Sequence, residues 1–490
     1  MKRVYHLLAF DLGASNGRAI LGTFDGDQIV MQELHRFENN YIEMNGVFYW
    51  DLPYLFNQMK QGLLAFKRLG VGELDCMGID TWGVDYGLLD KNGHLLGNPR
   101  SYRFATDEDV AETHKVVDFP TLYGRTGIGS MPFNTVYQLH RRVREGDVAL
   151  ENAQTLLLLP DLLGYFLTGE MAAEYTHATT TMMLDAETGD WDWKTIDALG
   201  IPKHIFPKIQ KSCSLRGCLR PELAEELGLN RAAYAAVGCH DTASAVAAIP
   251  GTGSFAFCSS GTWSLFGVET DHAIVTDEAR EANFSSEGTI QGGYRPLQNI
   301  MGMWLIQECR RDWIKESGKA ISWNDIVIEA RKAEPFRSII NPDASQFYAG
   351  GDMVKKIQEF CRNTNQPVPE TVGEVARCVY ESVALRYRLA MEGLEQIKGE
   401  KIESLNIVGG GCNNKMLDQM VADCLDRKVT IGPVEGAAIG NLLAQAMALG
   451  AVKDLDDLRR VVRNSEPVEE FHPNHTAAWE EAYERMLSYR

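Results

Sequence analysis

The strongest constraint on the fold is a pattern that the sequence contains twice. Residues Ala9–Gly22 (AFDLGASNGRAILG) and Ala256–Gly267 (AFCSSGTWSLFG) both begin with Ala-Phe, pass through a turn of small residues, and close with an apolar run and a glycine. Apolar runs on either side of such a turn are typical of a β-hairpin. A repeat at this separation indicates an internal duplication. We therefore predict two domains, residues 1–248 and 249–490, each with a hairpin near its start.

Length, charge and cysteine spacing narrow the class of protein. A chain of 490 residues is too long for one hydrophobic core. The apolar run in the start MKRVYHLLAF is short and is interrupted by Asp11, the next residue, which predicts a buried strand rather than a signal peptide. No apolar run in the chain reaches the roughly 18 residues that span a bilayer. A net charge of -19 disfavours nucleic acids and anionic membranes as partners, and the ten cysteines lack metal-binding spacing. We expect a cytoplasmic protein that binds small molecules.

Hydrophobic periodicity predicts the elements of the first domain. Three strands are expected over Val4–Phe10, Arg18–Phe24 and Gln28–Leu34, followed by a helix that Asp51 caps. A further strand ends in a polar and aromatic loop, and ligands usually bind at such strand ends in open α/β sheets. The candidates for substrate contact in that loop are Asp80, Trp82, Gly83 and Asp85. The alternative is that Trp82 belongs to the core and the acids cap turns.

The second domain is expected to repeat this scheme less regularly. We predict a hinge at Ile249–Ser254, a polar loop at Glu281–Pro296, a helix from Asn299 onward and a long core helix over Glu370–Ile397. The acidic helices after Lys453 are expected to be peripheral.

Two glycine-rich hairpin turns and the run Gly409–Gly411, which lies between a predicted strand and a helix, together predict a phosphate cradle. Asp11 is placed to hold a magnesium ion through water. Asp241, at the start of an Ala-rich helix, could simply cap that helix. Beside a phosphate cradle it instead predicts a base that takes the proton of a hydroxyl attacking a γ-phosphate.

Two common catalytic motifs are excluded. The literal GxSxG around Ser15 would suggest a hydrolase, but that motif needs a helix after the serine, and the run Arg18–Phe24 predicts a strand. The chain contains no Walker A motif.

Eight short segments resemble the FGGY family of carbohydrate kinases. They are DLGASNGR, GIDTWGVDYGLLD, MPFNTVYQL, EYTHATT, HDTASAVAA, SSGTWSL, NIMGMWLIQ and VGGGCNN. The resemblance implies an α/β, two-domain ribonuclease H-like fold of the actin and hexokinase type, with mixed sheets and an interdomain active-site cleft. The chain resembles most closely those members of the family that act on L-rhamnulose. This resemblance implies that the γ-phosphoryl group of ATP is transferred, with Mg²⁺, to O1 of that ketose.

The same resemblance implies the site residues. The residues that it places beside ATP are Ala14, Ser15, Asn16, Gly17, Arg18, Thr262, Gln307 and Gly410. The residues that it places on the sugar are Gly83, His240, Asp241, Thr242 and Asn299, with Asp241 as the base.

Two alternatives stay open at this point. Phe104 stands where such kinases have an acid, which leaves L-fuculose or xylulose as other substrates. A non-catalytic ATP-binding switch of the actin or Hsp70 kind would share the fold but would not respond to a sugar.

Overall fold

The computed structural model describes residues 3–261, 263–410 and 414–489. Its strands are β1 Tyr5–Leu12, β2 Asn16–Phe24, β3 Ile29–Glu38, β4 Tyr41–Met44, β5 Val47–Trp50, β6 Cys76–Thr81, β7 Tyr86–Leu89, β8 Thr155–Leu158, β9 Ala173–Glu174, β10 Ile209–Gln210, β11 Ser214–Cys218, β12 Ala233–Ala236, β13 Phe255–Ser260, β14 Trp263–Gly267, β15 Ser285–Gly288, β16 Tyr294–Met301, β17 Ser404–Val408, β18 Lys428–Ile431 and β19 Glu469–Phe471.

The helices follow in the same chain order. They are α1 Leu52–Leu69, α2 Asp107–His114, α3 Phe119–Thr126, α4 Thr135–Glu145, α5 Val148–Glu151, α6 Leu159–Thr168, α7 Tyr175–Thr179, α8 Trp193–Ala198, α9 Pro221–Leu227, α10 Asp241–Ala247, α11 Asp277–Glu281, α12 Trp304–Ser317, α13 Trp323–Lys332, α14 Met353–Asn363, α15 Val372–Lys398, α16 Lys415–Leu425, α17 Gly436–Ala448, α18 Leu455–Ser465 and α19 Ala477–Leu487.

The chain forms two compact units that are each discontinuous in sequence. The first contains Met1–Ile249, Glu269–Pro296 and Glu435–Glu466, and the second contains Pro250–Val268, Leu297–Val434 and Pro467–Arg490. The contiguous halves 1–248 and 249–490 therefore do not coincide with the compact units, and their status as functional domains stays a prediction.

The main sheets of the two units have the same strand order. The first main sheet has the order β11-β12-β6-β1-β2-β3, and the second has the order β19-β18-β17-β13-β14-β16-β15, which matches the first over six strands and adds β15 at one edge. Each sheet contains an antiparallel hairpin, β1–β2 or β13–β14. The first strand of the hairpin pairs in parallel with a neighbour (β6 or β17), and that neighbour pairs in parallel with a further strand (β12 or β18). Both sheets are thus mixed, and the repeated topology is what an internal duplication produces.

Local signals in the sequence account for the first elements. The three predicted strands are present as β1, β2 and β3, and α1 begins after Asp51, whose side chain accepts a hydrogen bond from the backbone N–H of Tyr54. The apolar face of α1 is buried, including Leu55, Met59 and Leu63. The predicted long core helix is α15.

Three expectations for the rest of the chain are wrong. Asn299 lies in strand β16, and the helix begins only at Trp304, because an apolar run of this length fits either period. The expected polar loop contains α11's last residue, β15 and the start of β16. Helix α18 is not peripheral, because Leu458, Val461 and Val462 are fully buried in the core of the first unit.

Helix α17 also belongs to the first unit and packs against β1, β6 and β12. Its close approach to α10 depends on Gly440, where a Cβ atom would lie 1.9 Å from the backbone oxygen of Ser244. This helix brings polar side chains under the strand ends that carry the candidate site.

Candidate active site

Asp11 and Arg18 face each other across the first hairpin. They are paired in the β1–β2 register, and Arg18 Nη2 lies 2.5 Å from Asp11 Oδ2. Arg18 Nη1 lies 2.6 Å from Glu435 Oε2, just before α17. Burial alone would lower the pKa of Arg18, but the two carboxylates raise it above its usual value. The hairpin therefore places a fixed positive charge beside Asp11.

The turn of this hairpin contains the residues predicted to border ATP. Ser15 and Asn16 are exposed and Ala14 is half-buried. Buried Asn39, which the sequence analysis missed, holds the turn: its Nδ2 donates to the oxygen of Gly13 at 2.8 Å, and its backbone N–H donates to the oxygen of Ser15 at 3.0 Å.

Gly17 is buried, and its lack of a side chain has a packing reason. A Cβ atom at this position would lie 2.3 Å from the ring of Phe37. The glycine is thus required by the neighbouring strand β3, whatever its relation to a nucleotide.

Three carboxyl groups lie at the ends of neighbouring strands of the first sheet. Asp11 pairs with Asp80 in the β1–β6 register, and Thr81 forms a bridge with His240, which precedes Asp241. Carboxyl ends of parallel strands meet at one edge of a sheet, so this arrangement follows from the topology.

Asp80 is fully buried, so the expectation that it contacts substrate is wrong. Its Oδ2 accepts a hydrogen bond of 2.5 Å from Asn441 Nδ2 of α17, and its Oδ1 has no partner in the part of the chain that the structure describes. Burial and the charge of Asp11 raise the pKa of Asp80 well above the usual range, although Asn441 opposes the shift. Asp80 supports the site from behind.

Asp241 is the most exposed of the three, with 33% of its side chain exposed against 12% for Asp11. It is the first residue of α10, and His240 occupies the N-cap position. Asp241 Oδ1 accepts from the N–H of Thr242 at 2.6 Å and from its hydroxyl at 3.2 Å. Partial burial raises the pKa of Asp241, the charge of Asp11 adds to this, and the hydrogen bonds from Thr242 oppose it. A carboxylate more basic than usual suits proton abstraction.

Asp85 and Trp82, two further candidates, form a buried polar cluster. Asp85 Oδ2 accepts from Trp50 Nε1 at 2.6 Å and from Trp82 Nε1 at 2.9 Å. Burial raises the pKa of Asp85 to about 7, although the two indoles oppose the shift. Trp82 is 7% exposed and belongs to the hydrophobic core, so the core alternative is correct for Trp82, and Asp85 anchors the loop without reaching the surface.

The loop between Trp82 and Asp85 is held in an unusual backbone conformation. Val84 has a φ of 70°, a value that β-branched residues rarely adopt. Its N–H donates to Thr180 Oγ1 at 3.1 Å, and its oxygen accepts from Thr135 Oγ1 at 2.6 Å. Gly83 packs against Thr180, which a Cβ atom would approach to 3.3 Å. The segments TWGVD, MPFNTVYQL and EYTHATT therefore converge on one rigid loop.

Phe104 serves to attach its own segment to α4. The Arg141 guanidinium lies 3.9 Å from the centre of the Phe104 ring, and Arg141 Nη1 donates to the oxygen of Phe104 at 3.1 Å. Tyr102, two residues earlier, lies with its ring centre 6.5 Å from that of Trp50.

The second unit contains a cavity of about 770 Å³. It is lined by Gly261, Met303, Gln307, Trp323, Asn324, Val327, Arg331, Tyr380, Gly410, Asn414 and Lys415. Gln307 and Gly410 were predicted to contact the nucleotide, and the structure brings them together here. Trp323 and its helix α13 were missed, because no motif marks them. Thr262 lies outside the described residues.

Two details of this unit refine the prediction. Within the glycine run, Gly409 needs to be glycine, because its φ is 89° and a Cβ would lie 2.9 Å from the oxygen of Ser260, whereas a Cβ on Gly410 would meet nothing. Asn299 is exposed on β16, opposite Leu265 of β14.

Among the residues that the structure describes, no three His, Cys, Asp or Glu side chains form a metal cluster. A single carboxylate such as Asp11 is nevertheless what Mg²⁺ needs when phosphate oxygens and water supply its other ligands. Nor does any helix in these ranges have the length and apolar character needed to cross a membrane.

Comparison with known proteins agrees with these observations. The N-terminal and C-terminal domain models of the FGGY family of carbohydrate kinases match residues 6–248 and 256–449. The rhamnulokinase of Bacteroides thetaiotaomicron is 41% identical over 480 residues, covering 98% of each chain. The rhamnulokinase of Bacillus subtilis is 40% identical over 468 residues, covering 95% of each chain.

Solved structures confirm the fold. Ligand-bound xylulose kinase from Lactobacillus acidophilus superposes with a TM-score of 0.84 at 17% identity, over 99% of this chain and 98% of that one. Plasmodium falciparum glycerol kinase with ADP gives a TM-score of 0.79 at 16% identity, over 99% and 98%. The predicted two-domain α/β fold with mixed sheets is thus confirmed. By both domain models and by its full-length relatives, this chain belongs to the FGGY family of carbohydrate kinases.

Proposed function

We propose that this carbohydrate kinase transfers the γ-phosphoryl group of ATP to O1 of L-rhamnulose, giving L-rhamnulose 1-phosphate and ADP in the breakdown of L-rhamnose. The observation that carries the proposal is the similarity, near 40% over almost the whole chain, to relatives from several bacteria that are named rhamnulokinase.

Asp241 is the proposed base. Its side chain is the most exposed of the three carboxyl groups at the strand ends, and partial burial makes it more basic than an ordinary aspartate. As O1 attacks the γ-phosphorus, the hydroxyl proton passes to Asp241 and the bond between that phosphorus and the bridging oxygen of ADP breaks. His240, Thr242, Gly83 and Asn299 are the proposed contacts of the sugar.

The nucleotide is proposed to lie in the cavity of the second unit, against Gln307 and Gly410. The exposed ring of Trp323 offers one wall for the base. Residues 14–18 of the first hairpin turn, together with Thr262, are the proposed contacts of the phosphates, and the positive charge of Arg18 supports this.

Asp11 is the proposed contact for Mg²⁺, through water. When bound, the ion would neutralise charge on the phosphate oxygens. Arg18 holds one oxygen of Asp11 and so fixes its orientation.

Another ketose is the second candidate substrate, and Phe104 is the observation that favours it. The Phe104 ring is engaged by Arg141, however, while Tyr102 approaches the Trp50 and Trp82 pair. Phe104 therefore contacts α4 through Arg141, and L-rhamnulose stays the first choice because of the similarity to the relatives named rhamnulokinase.

The test is ADP release from magnesium ATP with L-rhamnulose, L-fuculose, xylulose, ribulose or glycerol, and with no sugar. A strong response to L-rhamnulose is expected. A response to a different ketose would keep the kinase and change its substrate, and turnover that ignores every sugar would favour the ATP-binding switch.

A further inference from the structure

His240 has an unusual partner on the side away from Asp241. Its Nδ1 lies 2.7 Å from Arg295 Nη2, and Arg295 is 0% exposed. Arg295 Nη2 also donates to Glu287 Oε2 at 2.7 Å, and its Nε donates to the backbone oxygen of Gly288 at 2.9 Å. Arg295 and Glu287 come from residues 269–296 of the first unit, in the segment that the sequence suggested was a loop.

The contact with Arg295 determines which imidazole nitrogen carries the proton. A guanidinium has only donors and keeps its charge in proteins. A protonated Nδ1 at 2.7 Å from Nη2 would bring two N–H donors together, so Nδ1 must be the acceptor. The proton of a neutral imidazole then lies on Nε2.

Glu287 is the competing influence on this nitrogen. Its Oε2 lies 3.1 Å from His240 Nδ1, and a carboxylate would favour a proton there. Burial opposes the ionisation of Glu287, but the adjacent Arg295 guanidinium lowers its pKa, so Glu287 is charged. The shorter contact is that of Arg295 with the imidazole, and Arg295 also neutralises the carboxylate.

We propose that Arg295 is a positioning residue that fixes His240 as the neutral tautomer with its proton on Nε2, facing Asp241 and the substrate. The functional part of this inference rests on the proposed function, whereas the tautomer itself does not. Nε2 lies 3.4 Å from Asp241 Oδ1, so its N–H is directed to the side where the sugar is proposed to bind.

This tautomer has two consequences for the reaction. It presents a donor to an acceptor oxygen of the ketose beside the reacting hydroxyl. It also keeps the imidazole uncharged, and an imidazolium next to Asp241 would stabilise the carboxylate and weaken it as a base. A buried arginine that only connected β15 to β16 would affect neither the position of the proton nor the charge of His240.

The tautomer can be measured directly by NMR of protein labelled with ¹⁵N-histidine, with the His240 signals assigned from a His240→Asn sample. In the wild type we expect Nδ1 without a proton and Nε2 with one. A proton on Nδ1 would overturn the proposal, whether or not L-rhamnulose is the substrate, because this experiment needs no turnover.

The causal role of Arg295 is tested with Arg295→Met and the control Glu287→Gln. With Arg295→Met, Glu287 becomes the remaining partner of Nδ1, so the proton should move to Nδ1, and kcat should fall at least about tenfold with the KM for ATP unchanged. Glu287→Gln should keep the wild-type tautomer. If Arg295→Met leaves Nδ1 unprotonated, the assignment is wrong. If Arg295→Met does not fold, Arg295→Lys is the substitute, because lysine keeps a hydrogen-bond donor at this position. Arg295→Lys should keep the proton of His240 on Nε2, and a proton on Nδ1 in that variant would refute the proposal.

Discussion

Replacing Asp241 with Asn removes the proposed base and leaves the shape of the site almost unchanged. The side-chain oxygen that accepts from Thr242 is kept, so the start of α10 should remain intact. What is lost is the capacity to take a proton. General-base help is worth about 10²- to 10⁴-fold, or about 3–5 kcal/mol of activation free energy, and kcat should fall by that amount.

The same variant should lose activity but should not lose stability. Partial burial raises the pKa of Asp241 in the folded protein, so the folded state binds this proton more tightly than the unfolded state does. The ionised carboxylate therefore costs stability once the pH exceeds that raised pKa, and Asn has no such cost. At pH 8 the variant should unfold at the same or a higher temperature than the wild type.

The assay combines three measurements on one preparation: ADP release with saturating L-rhamnulose and ATP, ATP affinity by calorimetry, and thermal unfolding. Asp51→Asn is the matched control, because it makes the same change at the start of α1, where Asn caps equally well, and it should leave kcat unchanged. A decrease in kcat of less than about tenfold would be smaller than general-base catalysis usually contributes, and it would refute the role of Asp241. Loss of ATP binding and of stability together would make it a structural residue.

Three further predictions follow from packing, burial and the cavity. Gly440→Ala should destabilise the first unit by about 1–3 kcal/mol in urea unfolding, because its Cβ would meet Ser244 O at 1.9 Å, whereas Gly124→Ala, with no atom within 4 Å, should be neutral or stabilising. Burial raises the pKa of Asp85 from 3.8 to about 7, so the free energy of unfolding should fall by about 4 kcal/mol as the pH rises through that range. Asp85→Asn should remove this loss, so the unfolding midpoints at pH 4 and pH 8 should differ less than in the wild type. An unchanged difference between the two midpoints would contradict the assignment. Trp323→Ala should raise the KM for ATP roughly 5- to 150-fold with little change in kcat, as expected for loss of base stacking, while Trp193→Ala, another exposed tryptophan, should not; equal KM values would remove Trp323 from the nucleotide site.

Some features of this protein are determined locally, and these could be predicted from the sequence. The two hairpins, the capping of α1 by Asp51 and the long helix α15 all follow from alternation, helical period and a favoured N-cap residue. The motif segments also identified the family. Each of these signals lies within about 30 consecutive residues, so no knowledge of distant contacts is needed.

The roles of the individual acids were decided by tertiary structure. Asp80 lies near the end of buried strand β6, and Asp241 comes shortly after buried strand β12. Helix α17, more than 350 residues after Asp80, covers Asp80 and leaves Asp241 accessible. Likewise, Arg295 and Trp323 carry no motif. Their environments arise from contacts between segments remote in the chain, and burial, charge pairing and cavity walls are properties of such contacts, which periodicity and spacing along one sequence do not encode.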